Sequence, residues 1–226
     1  VLLRDSHGKG NGWFLYDIAR DRFTPIGMSG HMSSAKGDKT IRLRNITGFN
    51  DKGEILAIAN AGHVFGRPAL GVPGSMTAPV ELGEFSSIPN CEGGNKDING
   101  INAQDQVVGS CHLSRYTPER VAITAYVYRD GVFQSVVEPD AIVTTATAIN
   151  NAGVITGFYQ PQKTSFSRSY IYDGTKFTEI PVKFNPNGNL PAMIRASGIN
   201  NHGQVVGSVQ GGFNMGSVDG FLATPP

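Results

Sequence analysis

The chain contains no apolar run of the about 18 residues that a membrane-crossing helix requires, so no membrane span is expected. Charge is also scarce. Asp, Glu, Lys and Arg make up 16% of the 226 residues and leave a net charge of +1. Such a surface has no field of one sign with which to hold nucleic acid or an anionic bilayer, and neither is expected as a partner. The five histidines, His7, His31, His63, His112 and His202, form no HxH or HExxH spacing. No metal motif is therefore present, and no cofactor is assigned. Cysteine is limited to Cys91 and Cys111, too few for a disulfide framework but enough for one bridge. The chain starts abruptly at Val1 in what reads as a strand. A leader removed upstream of it is the expectation, in keeping with a secreted protein.

Glycine, at 29 residues, and a fourfold internal pattern are what the sequence has in quantity. Gly48 to Leu56, Gly100 to Val108, Ala148 to Thr156 and Gly198 to Val206 share one form: an apolar residue, Asn, a three-residue polar turn, then an apolar strand. The Asn recurs at positions 50, 102, 150 and 200, at spacings of 52, 48 and 50. Self-similarity at about 40–50 residues with several short strands per period points to a β-propeller.

The third unit shows the anatomy. Asp97 to Asn102 reads as a first strand (a) and Gln106 to Cys111 as a second (b). After a polar loop come Ala125 to Tyr128 (c), the Arg129-Asp130-Gly131 turn and Val132 to Val136 (d). Asp-Gly between aromatic and β-branched runs is a hairpin signal. Residues 145–180 repeat this order around Asp173-Gly174. Three units (about 45–96, 97–144 and 145–195) thus lie between a partial one at 1–44 and another at 196–226. The expectation is one all-β propeller domain of five blades, with four as the alternative.

The I-N-x-x-G-x-V-V-G hairpin followed by an aromatic strand resembles the bacterial extracellular repeat proteins of the HAF family. The segments that carry the resemblance are Ile149 to Gly157, Ile199 to Gly207, Tyr126 to Tyr128, Tyr170 to Tyr172 and Phe221-Leu222. The His-Ala-Phe signature itself is replaced by Thr124-Ala125-Tyr126, Arg168-Ser169-Tyr170 and Asp219-Gly220-Phe221. The resemblance implies secretion and a propeller, and it carries no catalytic motif.

Loop length divides the two ends of such units. The a–b and c–d turns are tight and share one end, while the b–c and d–a connections are long. Binding residues concentrate on loops held by a rigid scaffold, so the long-loop end is the expected site. Aligned b strands place His7, Asn60, His112, Gln160 and Gln210 at one equivalent position. With residues of neighbouring connections, the candidate ligand contacts are His7, His31, Arg42, His63, Arg67, His112, Tyr159, Gln160, Arg195 and Gln210. Cys91 and Cys111 fall at this end in adjacent segments, and a disulfide between them is a geometrically reasonable expectation.

Planar polar groups and aromatics at this end suit a polysaccharide or oligosaccharide ligand. A lyase is the alternative. Elimination needs a base and a cation against the substrate carboxylate, and His112, Tyr116 and Arg115 stand together. A hydrolase is disfavoured because the inner strands hold no carboxylate pair beyond Asp97. A scaffold for an extracellular protein partner is the third reading.

Overall fold

In the computed structural model the described residues are 2–4, 13–26, 29–32, 39–61, 64–71, 88, 91, 95–113, 122–182, 193–210 and 218–224. They contain strands and turns only, and no helix among them is long and apolar enough to cross a membrane. The chain divides into two compact units, Val1–Glu84 and Phe85–Pro226.

The first unit holds two sheets. β1 (Leu2–Arg4), β2 (Trp13–Asp17) and β3 (Arg22–Ile26) form an antiparallel sheet of three. Asp21, with a left-handed φ of 46°, turns β2 into β3 and accepts a hydrogen bond from the Tyr16 hydroxyl. β4 (Ser29–Met32), β5 (Lys39–Phe49), β6 (Ile55–Ala61) and β7 (Val64–Gly71) form a sheet of four in that order.

The second unit contains β8 (Asn95–Ile101), β9 (Val107–His112), β10 (Ile123–Arg129) and β11 (Val132–Val136), then β12 (Ala141–Ile149), β13 (Ile155–Pro161), β14 (Arg168–Tyr172) and β15 (Phe177–Glu179). Each foursome is an antiparallel meander. A parallel pairing of Ile123 with Val143 joins them into one mixed sheet of eight. β16 (Met193–Ile199), β17 (Val205–Gln210) and β18 (Val218–Ala223) form a separate sheet of three, with β16 packed against β12, β13 and β14.

This arrangement corrects the expected propeller of five or four blades. The strands form open sheets of three, eight, three and four. Two repeats share one mixed sheet, and among the described residues no pairing joins the first strands to the last. A 50-residue period dictates how strands succeed one another within a repeat. It does not dictate which edges of successive repeats meet, and here the start of β10 finds the strand that opens the next repeat.

Three chemical devices account for the repeat. The first is the Asn after strand a. Its Oδ1 accepts the amides two and four residues on: Gln104 and Gln106 for Asn102, Ala152 and Val154 for Asn150, His202 and Gln204 for Asn200, Lys52 and Glu54 for Asn50. The Asn itself is not the left-handed residue of the turn. The left-handed residue is the one three later: Gly53, Asp105, Gly153 and Gly203.

The second device links repeats. Asn102 Nδ2 donates to the Asn150 carbonyl at 2.9 Å, and Asn150 Nδ2 to the Asn200 carbonyl at 3.2 Å. In return Asn151 and Asn201 accept the amides of Ala103 and Asn151 through Oδ1, both at 2.9 Å. Thr147 adds a bond to the Ala196 carbonyl.

The third device is an aromatic ring lying over a glycine. Tyr126 pairs with Gly109, and its hydroxyl donates to the Asp97 carbonyl at 2.9 Å. Tyr170 pairs with Gly157 and donates to the Thr145 carbonyl at 3.3 Å. A Cβ at Gly109 would stand 2.4 Å from the Tyr126 hydroxyl, so only glycine fits. Where β6 carries Ala57 instead, its partner in β7 is Ala69, so no ring needs the space. The last repeat keeps the glycine, Gly207, under Phe221, which lacks a hydroxyl to offer the Arg195 carbonyl.

Tyr126 and Tyr170 are fully buried. One core runs across both foursomes through Val108, Val127, Val136, Ile149, Ile155 and Tyr170. A second forms where Ile180 meets Ala196 and Val205.

Two substitutions follow from these contacts. Asn150→Ala leaves two turn amides and one carbonyl of the next repeat without their partner, and about 3 kcal/mol of stability should be lost in denaturant titration. Phe221→Tyr restores the missing phenol bond and should raise stability by about 1 kcal/mol.

Candidate functional site

The Asn contacts gather the a–b turns of three successive repeats at one end of the second unit. The b strands therefore finish at the opposite end. There, His112 closes β9 opposite Asn95 and Ile123, Gln160 lies near the end of β13 opposite Val143, and Gln210 closes β17 opposite Met193. Ser167 pairs with Met193, which keeps β14 and β16 in step at this end.

His112 Nε2 lies 2.9 Å from Asp97 Oδ2, with both side chains about half exposed. The two strands bring them together: Asp97 pairs with Ser110, and His112 follows two residues later on the same face. Beneath them Cys111 is bridged to Cys91 with a Cα separation of 5.9 Å, and both are buried. The bridge meets the expectation from the sequence. It closes a loop with a sequence separation of 20, which should contribute about 3 kcal/mol. It also ties the turn between Ile88 and Cys91 to the strand that bears the histidine.

Tyr159 is buried rather than offered to solvent. Its ring lies beside Tyr170, and its hydroxyl donates to Glu179 Oε2 at 3.0 Å. Arg168 donates to the same oxygen at 2.9 Å. Burial, with Glu179 next, pushes the Tyr159 phenol up to about 12, and Glu179 raises Arg168 further. The surface group near Tyr159 is thus the Arg168–Glu179 pair. Gln160 donates to the Thr164 carbonyl at 3.1 Å. The Arg195 guanidinium stands 4.9 Å over the Phe158 ring.

Of the five described candidates in this unit, His112, Tyr159, Gln160 and Gln210 lie at or near the ends of the b strands β9, β13 and β17, and Arg195 lies near the start of the antiparallel β16. The others divide. His7, His63, Arg115 and Tyr116 lie outside the described residues. His31, Arg42 and Arg67 were expected in long connections and stand in strands instead: His31 in β4 opposite Thr40, Arg42 in β5 opposite Ser29 and Asn60, Arg67 in β7 opposite Ala59. Residues 27–38 are rich in Gly and Ser and show no two-residue alternation, so β4 left no periodic trace. They belong to the first unit.

Sequence reasoning missed Glu179 and Arg168 as site residues. Both reach Tyr159 from strands other than its own hairpin partner in β12. Asp97 was noted only as an isolated acid, although hairpin register was signal enough to set it beside His112. Among the described residues no three His, Cys, Asp or Glu side chains are gathered as a metal site.

No family model matches this sequence, and no curated protein matches it. Among solved structures, two of Pyrococcus horikoshii acylaminoacyl peptidase are similar in part. The orthorhombic form has 15% identity and a TM-score of 0.49, covering 94% of this chain and 40% of the peptidase. The uncomplexed form has 14% identity and a TM-score of 0.49, covering 98% and 42%. The chain spans less than half the length of those it matches, and no activity passes to it from them.

The buried phenols should contribute to how the fold responds to alkaline pH. Burial raises Tyr126, Tyr159 and Tyr170 above the ordinary tyrosine value, with Asp97 assisting at Tyr126 and Glu179 at Tyr159. An unfolded chain releases these protons near pH 10, before the folded protein does. Their contribution is therefore complete below about pH 10 and is lost as pH rises through the folded values. Tyrosinate absorbance should show a late step coincident with loss of the β-sheet dichroism. Tyr159→Phe should remove the component near pH 12 while leaving the later ones.

Proposed function

We propose that this protein binds a hydroxyl-rich extracellular polymer, a polysaccharide or oligosaccharide, along the end of the second unit where the b strands finish. The observation that carries the reading is the alignment of His112, Gln160 and Gln210. Three planar hydrogen-bonding side chains come from equivalent positions of three repeats, with Arg195 nearby on β16. Sugar hydroxyls both donate and accept, and amide and imidazole groups answer both roles. One of the three repeats carries His where the other two carry Gln, and the connections that follow differ in sequence, which favours one asymmetric site over equal sites on each repeat. Secretion belongs to the same reading. A buried disulfide is compatible with an oxidising location. Kinship with the HAF-type repeat proteins is proposed on the repeat segments alone.

One observation favours a second reading. Asp97 beside His112 can orient the imidazole, as a general base requires. In a uronate polymer such a base would take the proton from the carbon next to the carboxylate. The carbon–oxygen bond one position further then breaks, leaving an unsaturated sugar and a free hydroxyl end. Arg115 and Tyr116 follow His112 closely in sequence and would be the assisting groups of this reaction.

A glycan array followed by calorimetry separates these readings. Binding should appear for a subset of acidic or neutral polysaccharides, and His112→Ala, Gln160→Ala and Arg195→Ala should each weaken it by about tenfold, or 1.4 kcal/mol. His202→Ala, in a turn at the other end, should leave affinity unchanged. Absence of any glycan ligand, or equal affinity in all four variants, removes the assignment. Growth of the ultraviolet absorbance of unsaturated uronate, abolished in His112→Ala, would establish the lyase instead.

A further inference from the structure

An aspartate followed by glycine can close on itself. The glycine amide nitrogen attacks the side-chain carboxyl carbon, water leaves, and a succinimide ring forms. Water then opens the ring at either carbonyl. One product is aspartate again, and the other is isoaspartate, in which the main chain runs through the side-chain carbon. Glycine allows the approach because it carries no Cβ. The sequence holds three such pairs, Asp130-Gly131, Asp173-Gly174 and Asp219-Gly220, and the fold places them in three different environments.

Asp173 has its carboxylate engaged. Oδ1 accepts the Thr175 amide, the Thr175 hydroxyl and the Lys176 amide, each at 2.8 Å. The Lys176 amide, with Thr175 next, holds this carboxyl down to about 2. An ionised carboxylate has no hydroxyl to lose as water, and this one is turned onto the residues beyond the glycine. Asp219 and Gly220 lie within β18, opposite Val209 and Ser208, so ring closure there must first break a strand pairing. Asp130 has neither restraint. Arg129 pairs with Val132, which leaves Asp130 and Gly131 as a two-residue loop outside the ladder. Their φ values of 50° and 82° are both left-handed, as a type I′ turn requires. A residue with a Cβ occupies that region at a cost, and rotation into the ring releases it. Among the described residues no group bonds to the Asp130 carboxylate, and a Cβ on Gly131 would meet nothing within 4 Å.

We infer that Asp130 is a site of self-modification, converting through the succinimide with Gly131 to isoaspartate, and that the fold spares Asp173 and Asp219. One water leaves and one returns, so the reaction needs no enzyme, oxidant or cofactor. Its product carries an extra main-chain carbon in a loop of two residues, which cannot keep the type I′ geometry that joins β10 to β11. The Phe133 ring, edge-on to Tyr126 at 5.4 Å, and buried Val136 both belong to the strand that this loop holds in place. His112 stands opposite Ile123 at the other end of β10, so the change falls away from the proposed ligand contacts.

The test ages the unaltered chain for several weeks at neutral pH and body temperature in heavy-oxygen water. Isoaspartate is then located by electron-transfer fragmentation of its peptides. Peptide-level assignment is needed because Asn11-Gly12, Asn99-Gly100 and Asn187-Gly188 can yield the same linkage by losing ammonia. Isoaspartate with one heavy oxygen should accumulate at Asp130, and conversion at Asp173 and Asp219 should be slower by at least about tenfold. In concentrated urea the three rates should converge, because the restraints on Asp173 and Asp219 are those of the fold. Asp130→Glu, whose longer side chain would have to close a larger and less favoured ring, should lose the product at this position. No isoaspartate at Asp130, comparable conversion at Asp173 or Asp219 in the folded chain, product without heavy oxygen, or unchanged selectivity in urea overturns the inference. The aged and denatured samples of the unaltered chain decide it even where the variant does not fold.

Discussion

The second unit depends on an asparagine that bonds in two directions. Within its own repeat, Oδ1 of Asn102, Asn150 or Asn200 gathers two amides of a tight turn that would otherwise face solvent or each other. Between repeats, Nδ2 of Asn102 and Asn150 reaches the carbonyl of the following asparagine. Asn102 and Asn150 are buried, and a buried amide with all its partners satisfied costs little, whereas one left unpaired costs the full desolvation. The turn and the stacking of repeats are consequently one requirement. Asp or Ser in place of Asn could serve the turn but not the link, because neither carries an Nδ2–H₂ group.

The ring over glycine is the second constraint, and it acts between strands of a single repeat. A glycine in strand b weakens that strand by itself. Here Gly109 admits the ring of Tyr126 close to the backbone, Gly157 faces the Thr145 carbonyl across the sheet, and the phenols of Tyr126 and Tyr170 cap carbonyls at Asp97 and Thr145. The Ala57–Ala69 pairing in the first unit shows the rule from the other side: a small residue across the sheet removes the need for glycine. These details explain why a glycine in strand b goes with an aromatic residue in strand c, as Gly109 with Tyr126, Gly157 with Tyr170 and Gly207 with Phe221.

Much of this was legible in the sequence, and what was not has definite causes. The Asn spacing located four a–b hairpins, and the Asp130-Gly131 and Asp173-Gly174 pairs located two more. Strand edges were not legible, because a parallel pairing such as Ile123 with Val143 leaves no mark on period or composition. That is why the expected ring of separate blades gives way to open sheets. At the site, alignment of b strands did bring out His112, Gln160 and Gln210 as equivalents. It could not show that Tyr159 turns inward, since alternation along β13 is the same whether the inner face is closed or open. Its partners Glu179 and Arg168 come from β15 and β14, which the hairpin pattern alone does not connect to it.

The link between successive asparagines also bears on how such a chain can lengthen. Each turn presents donors to the turn after it and acceptors to the turn before it, and the groups concerned are those of the repeat itself. A tandem duplication of one period of some fifty residues would arrive with its polar partners already matched on both sides. Growth by copying therefore needs no compensating change elsewhere, while the connections at the far end, which take no part in the matching, are left to diverge in length and chemistry.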